Sequence, residues 1–169
     1  MKARAPTVIA IIAVIAAAGI AAYLGHFQPR PAPAATFTSL EGEKVSMGDL
    51  RGRVVLLNFW ATDCVVCVRE MPRLTQTYRR FESRDFEMIA VAMRHDPPNY
   101  VIRYTEKNAL PFKVALDPMG ELAKAFGDVR LTPTTIVIDR DGNMVKRIIG
   151  EPDFKVLDAL IERKLAGGS

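Results

Sequence analysis

Asn58-Phe-Trp-Ala-Thr-Asp-Cys-Val-Val-Cys-Val-Arg-Glu-Met-Pro72 decides how this chain is read. The stretch grows out of an apolar run, Val54-Val-Leu-Leu-Asn-Phe-Trp-Ala61, whose β-branched and aromatic residues predict a buried strand. Beyond it Met71, Leu74, Tyr78 and Phe81 recur at helical spacing, so a helix is expected from near Cys64 with those residues on its inner face. Its arginines, Arg69, Arg73, Arg79, Arg80 and Arg84, read as a solvated face. The only two cysteines of the chain, Cys64 and Cys67, thus stand together where a strand hands over to a helix.

A Cys-x-x-Cys pair is a redox dithiol or half of a zinc site. Zinc takes four ligands. The other candidates are His26 and His95, with no second cysteine pair, so no metal is expected. A purely structural disulfide at this spacing closes almost no loop and removes little unfolded-state entropy. The redox reading has a physical basis. Unpaired N–H groups and the positive dipole end at a helix N-terminus stabilise a thiolate, the nucleophilic form of cysteine. Cys67 follows one turn later on the same face. Cys64, at the tip, attacks a partner's disulfide; Cys67 then displaces the partner and closes a Cys64–Cys67 bond. That redox-active disulfide is the only redox group expected, with no added cofactor.

Outward from this stretch, strands and helices alternate. Residues 37–40 and 44–47, around Glu41-Gly42, form a short hairpin, and 86–93 a second buried strand. Residues 99–108 are expected as a helix, 112–116 as a short strand and 121–126 as a short helix. Residues 134–139 and 144–149 flank Arg140-Asp-Gly-Asn143, a hairpin turn signal, and Phe154, Leu157, Leu160, Ile161 and Leu165 mark a closing helix. This order predicts an α/β sandwich around a mixed sheet.

Composition divides the chain of 169 residues unevenly. Residues 7–24 carry no charge, come after Lys2 and Arg4, and end near Tyr23. A membrane span needs about 17–25 apolar residues, and the flanking positive charges favour a cytoplasmic N-terminus. Residues 1–27 are therefore read as a membrane anchor, with a cleaved signal peptide as the competing reading. Either exports the rest of the chain. Residues 28–35, with three prolines, make an extended Pro/Ala linker, and 36–169 form the domain. The first 35 residues hold Lys2, Arg4 and Arg30 and no acid, so removing these three from the chain's 23 basic residues leaves 20 against 19 acidic ones. The basic pI near 9.2 is thus largely N-terminal. The remainder has no basic stripe interleaved with aromatics, which excludes a nucleic-acid partner.

The quoted stretch resembles the active-site segment of thioredoxin-fold proteins, most of all the membrane-anchored, extracytoplasmic branch typified by ResA, TlpA and CcmG (DsbE). Pro72, eight residues after Cys64, stands where thioredoxins kink the active-site helix. Leu131-Thr-Pro-Thr-Thr-Ile-Val-Ile-Asp139 resembles the cis-proline loop, Gly142 fits the hairpin after it, and residues 97–117 match an insertion that this branch carries. The resemblance implies a thioredoxin-like fold, a mixed central sheet flanked by helices, with an N-terminal hairpin and that insertion, preceded by one transmembrane helix. It implies that Pro133 is cis and brings the Thr132 backbone beside the sulfurs to pair with substrate. It places Trp60 under the site and counts it, with Asp63, Thr132 and Pro133, among the substrate-binding residues. It matches Glu70 to an acid that accepts the Cys67 proton; a surface glutamate pairing with Arg73 is the plain alternative. The chain departs from the pattern in Asp63 and Val66, where the family commonly has Trp and Pro, and in Asn58, where thioredoxin has a buried acid.

The function implied is an extracytoplasmic thiol–disulfide oxidoreductase of reducing character. Its partners are proteins with disulfides or cysteine pairs, in cytochrome c maturation or copper-site assembly, and a membrane protein that donates electrons by thiol transfer. Three other readings stand beside it. One is a disulfide-forming oxidant. Another is a non-catalytic copper carrier of the Sco type, which uses a longer cysteine spacing and a partner histidine. A thiol peroxidase would need Pro and Thr where Leu57 and Ala61 stand. His95 reads as a loop histidine. Asp63 puts a like charge beside the Cys64 thiolate and so favours the reducing reading over the oxidant.

Overall fold

A computed structural model describes residues 30–167 together with Ile11, Val14, Ile15 and Gly19. The chain divides into two compact units, residues 1–30 and 31–169. In the first, Ile11, Val14, Ile15 and Gly19 are helical and exposed. Among the described residues no helix is long and apolar enough to cross a membrane; the span expected at 7–24 otherwise lies outside them.

The second unit is built around β4 (Val54–Trp60), buried along its whole length. It pairs parallel with β5 (Phe86–Ala92) and antiparallel with β7 (Thr134–Ile138). β6 (Lys113–Leu116) extends the sheet beyond β5, and β8 (Asn143–Ile149) beyond β7, with the two-residue β1 (Arg30–Pro31) at the edge. Strand order is β1-β8-β7-β4-β5-β6, the mixed sheet expected. Strand side chains alternate between faces. Val54, Leu56 and Trp60 join the core under α1 (Val65–Phe81), α2 (Pro98–Lys107) and α4 (Phe154–Leu165). Val55, Leu57 and Phe59 join a second core, closed by the hairpin β2 (Thr36–Thr38) and β3 (Lys44–Ser46) and by α3 (Glu121–Ala125).

Helix α1 crosses the sheet because its stripe Cys67, Met71, Leu74 and Phe81 is buried against β4 and β5. Pro72 lies inside α1 but on its exposed side, where the missing N–H leaves the core stripe intact. The arginine face is solvated as expected and also paired: Arg69 to Glu151 at 2.6 Å, Arg80 to Asp158 at 3.4 Å and Arg84 to Glu162 at 2.6 Å. The expected insertion supplies α2 and β6, and its Tyr104 ring packs 5.2 Å from the Trp60 ring. At the other end of the sheet, the Ala32 amide donates to the Gly142 carbonyl at 2.8 Å. Gly142 there takes φ +75°, in the turn between β7 and β8.

Leu74 is fully buried where α1 meets the sheet. Leu74→Ala is expected to lower unfolding stability by about 2–5 kcal/mol, the usual cost of a core cavity. Urea titration checks this; a shift under about 1 kcal/mol would mean that α1 is held elsewhere.

Candidate active site

Strand β4 ends at Trp60, and after a short passage Cys64 caps α1. Cys64 has extended backbone angles, φ −84° and ψ 101°, and its Sγ accepts the Cys67 amide at 3.2 Å. The sulfur thus sits among the open N–H groups of the first turn, where negative charge is favoured. Cys64 and Cys67 are joined by a disulfide, with Cα atoms 5.2 Å apart. Cys64 is half-buried and Cys67 wholly buried, so the first sulfur is the accessible one.

β7 begins at Thr134, opposite Phe59 near the end of β4, which puts the preceding loop at the cysteine end of the sheet. The Thr132–Pro133 peptide in that loop is cis. The loop is pinned on both sides of it: Thr134 Oγ1 donates to the Leu131 carbonyl at 2.7 Å, and the Gly150 amide to the Pro133 carbonyl at 2.8 Å.

Beneath the disulfide lies a polar cluster in an apolar layer. Glu70, one turn beyond Cys67, is completely buried. Asn58 Nδ2 donates to Glu70 Oε1 at 3.0 Å and to Thr135 Oγ1 at 3.1 Å, Thr135 being its partner across the strands. Among the described residues Glu70 Oε2, Asn58 Oδ1 and Trp60 Nε1 have no hydrogen-bond partner. Burial pushes the Glu70 carboxyl up from 4.5 to about 7; the Asn58 bond opposes the rise, the Glu151 carboxylate adds to it, and Arg69 counters it weakly. The surface alternative for Glu70 is overturned: Arg73 bonds instead to Gln76 and lies over the Phe154 ring.

The expected residues lie at one end of the sheet, Trp60 in the place under the site expected for it. Trp60, counted among the substrate contacts, is wholly buried, so it supports the site from beneath and offers no surface to a partner. Asp63 is exposed, its Oδ1 3.6 Å from His95 Nε2, which makes the loop histidine a neighbour of the dithiol. Sequence reasoning missed Asp96. Its buried carboxylate accepts the Thr62 amide at 2.6 Å and the Thr62 hydroxyl at 2.5 Å, tying the loop before Cys64 to the loop after β5. Its only sequence signal was an acid just before Pro97-Pro98. Among the described residues no cluster of His, Cys, Asp and Glu is arranged to hold a metal ion.

A half-exposed sulfur on a helix tip, a buried partner sulfur and a facing cis-proline loop define a thioredoxin-fold dithiol–disulfide exchange site. Comparison with known proteins agrees. The Redoxin profile matches residues 29–161, and the chain belongs to that family. Thiol-disulfide oxidoreductase ResA of Bacillus thuringiensis subsp. konkukian is 32% identical over 164 residues, covering 92% of this chain and 93% of that protein. A putative thioredoxin from Neisseria meningitidis superposes with TM-score 0.75 at 36% identity, over 81% of this chain and 91% of that one. StoA from Bacillus subtilis superposes with TM-score 0.65 at 26% identity, over 76% and 98%. The chain is an enzyme, a thiol–disulfide oxidoreductase of the ResA/TlpA/CcmG type, and it exchanges disulfides with protein thiols through Cys64 and Cys67.

Glu70 links the site to stability. The unfolded chain loses this proton near 4.5, whereas the folded chain keeps it to about 7. Folding therefore favours the protonated form, and stability falls as pH rises through that window, by on the order of 3 kcal/mol. In Glu70→Gln the loss disappears, so the variant gains on the wild type between pH 4.5 and 7. Urea midpoints of the oxidised proteins at both ends of the window check it; equal pH slopes would show that the carboxyl is already ionised.

Proposed function

We propose that this oxidoreductase works in the reducing direction on exported proteins. Residues 1–27 hold it in the cytoplasmic membrane, and the 28–35 linker, whose Arg30–Pro31 docks as β1, leads into the domain on the periplasmic or extracytoplasmic side. Its substrates are proteins with disulfides, as in cytochrome c maturation or copper-site assembly. A membrane protein returns electrons by thiol transfer. No cofactor takes part beyond the Cys64–Cys67 disulfide.

The observation that carries the mechanism is the buried Glu70 carboxyl, pushed up to about 7 and one turn beyond Cys67. In the reduced chain, the Cys64 thiolate attacks one sulfur of the substrate disulfide. That bond breaks, a mixed disulfide forms, and the other substrate sulfur leaves as a thiolate. Glu70 accepts the Cys67 proton, and the Cys67 thiolate attacks Cys64 Sγ. The Cys64–Cys67 bond closes and the second substrate sulfur leaves. Two electrons pass from the dithiol to the substrate. A carboxyl titrating near neutrality serves both this step and its reversal, when the donor reduces the disulfide again. The Thr132 backbone lines up the substrate strand, and Asp63 marks the rim where the partner lands.

Asp63 supports the direction. Strongly oxidising couples owe their potential to a stabilised thiolate, and a carboxylate directly before Cys64 disfavours that charge. Asp63→Asn is expected to make the couple more oxidising in a glutathione buffer. An unchanged or more reducing couple would remove this support.

Cys64→Ser is expected to abolish disulfide reduction. Cys67→Ser retains one reactive thiol and accumulates mixed disulfides, recovered from cell extracts on non-reducing gels and identified by mass spectrometry. If Cys67 alkylates before Cys64 in the reduced native chain, the two roles are reversed.

A further inference from the structure

A groove of about 700 Å³ opens beside the dithiol, and the thiol chemistry leaves it unused. Met93, Arg94 and His95 after β5, Met119 and Lys124 around α3, and Arg130 ahead of the cis peptide contribute to its walls. The groove adjoins the redox rim through His95 and Arg130. His95 Nε2 stands 3.6 Å from the carboxylate of Asp63, the residue before Cys64, and Arg130 precedes Thr132 by two residues.

Its charge is one-sided. Arg94, Lys124 and Arg130 are all exposed. Asp128, the one acid on the lining, is paired with Arg130. Arg94 and Lys124 form no ion pair among the described residues. The floor is apolar, with Met93, Ala123 and Val129 buried. Two unpaired cations over a concave apolar floor focus a positive potential. Nearer the cysteines, past the exposed Asp63, stand two exposed apolar side chains, Val65 next to Cys64 at 78% exposure and Leu131 next to Thr132 at 61%.

We infer that the groove receives an acidic segment of the protein substrate while the substrate's disulfide lies over Cys64 against Val65 and Leu131. Acidic side chains meet Arg94 and Lys124, and the intervening apolar atoms rest on the floor. Substrate choice is then made beside the dithiol, by charge, before any sulfur reacts. The inference rests on the thiol-exchange reading only for where the substrate disulfide lies; recognition by the groove is separable from it.

The test uses the full-length oxidised protein and short fluorescein-labelled peptides that contain no cysteine. One peptide is rich in glutamate, and a second carries lysine at the same positions. Fluorescence anisotropy is expected to show binding of the glutamate peptide, weakened by salt, with the lysine peptide unbound. Arg94→Glu combined with Lys124→Glu is expected to weaken the glutamate peptide by about tenfold or more. Equal binding of the two peptides, no binding of either, or undiminished binding by the double variant would overturn the inference. In parallel, the reduced proteins are given hydroxyethyl disulfide, which is uncharged. Equal rates for wild type and double variant show an intact fold and dithiol, so that the lost peptide binding is a charge effect. If neither protein reduces it, the thiol-exchange reading fails, and the anisotropy result still decides the groove.

Discussion

The architecture depends on one constraint: β4 must be buried on both faces and on both edges, yet end at a sulfur that meets solvent. Its neighbours β5 and β7 take the two edges, and two separate apolar cores take the faces. Only the C-terminal tip of the strand is left to open outward. The chain uses that tip for the start of α1, so Cys64 is presented at the end of a helix packed on the buried sheet. A site on such an element keeps its geometry more closely than one held by loops alone.

That constraint also explains where the polar groups sit. Asn58 interrupts a run of wholly apolar neighbours, and its burial is tolerable because its amide reaches both Glu70 and Thr135. The carboxyl above it gains one such bond and loses most of its hydration. A group in this state holds its proton near neutrality, which a surface glutamate does not.

Much of this was legible in the chain itself. The apolar run at 54–61, the periodic inner face of α1 and the Asp-Gly turn are local patterns, and the observed elements match them within a residue or two. The cysteine pair announced the chemistry, and the Thr-Pro step announced the facing loop. The links between distant loops stayed hidden. The Asp96–Thr62 bonds and the Asp63–His95 approach leave no periodic trace. Glu70 was ambiguous because it stands among arginines. Its membership of the Cys67, Met71, Leu74 stripe was the signal that it points inward. Trp60 was legible, expected under the site and found there, wholly buried.

The hydrogen bond from Ala32 to Gly142 has a consequence for reach. Gly142 sits in the turn after β7, and β7 runs opposite to β4, so that turn lies at the pole of the sheet away from Cys64. The seven residues of β4 separate the two poles by roughly 20 Å. The polypeptide therefore enters the domain at the base and displays its reactive sulfur at the summit. A substrate that reaches the summit meets the tip of α1 and the cis-proline loop, while Arg30–Pro31 and Ala32 are docked at the base.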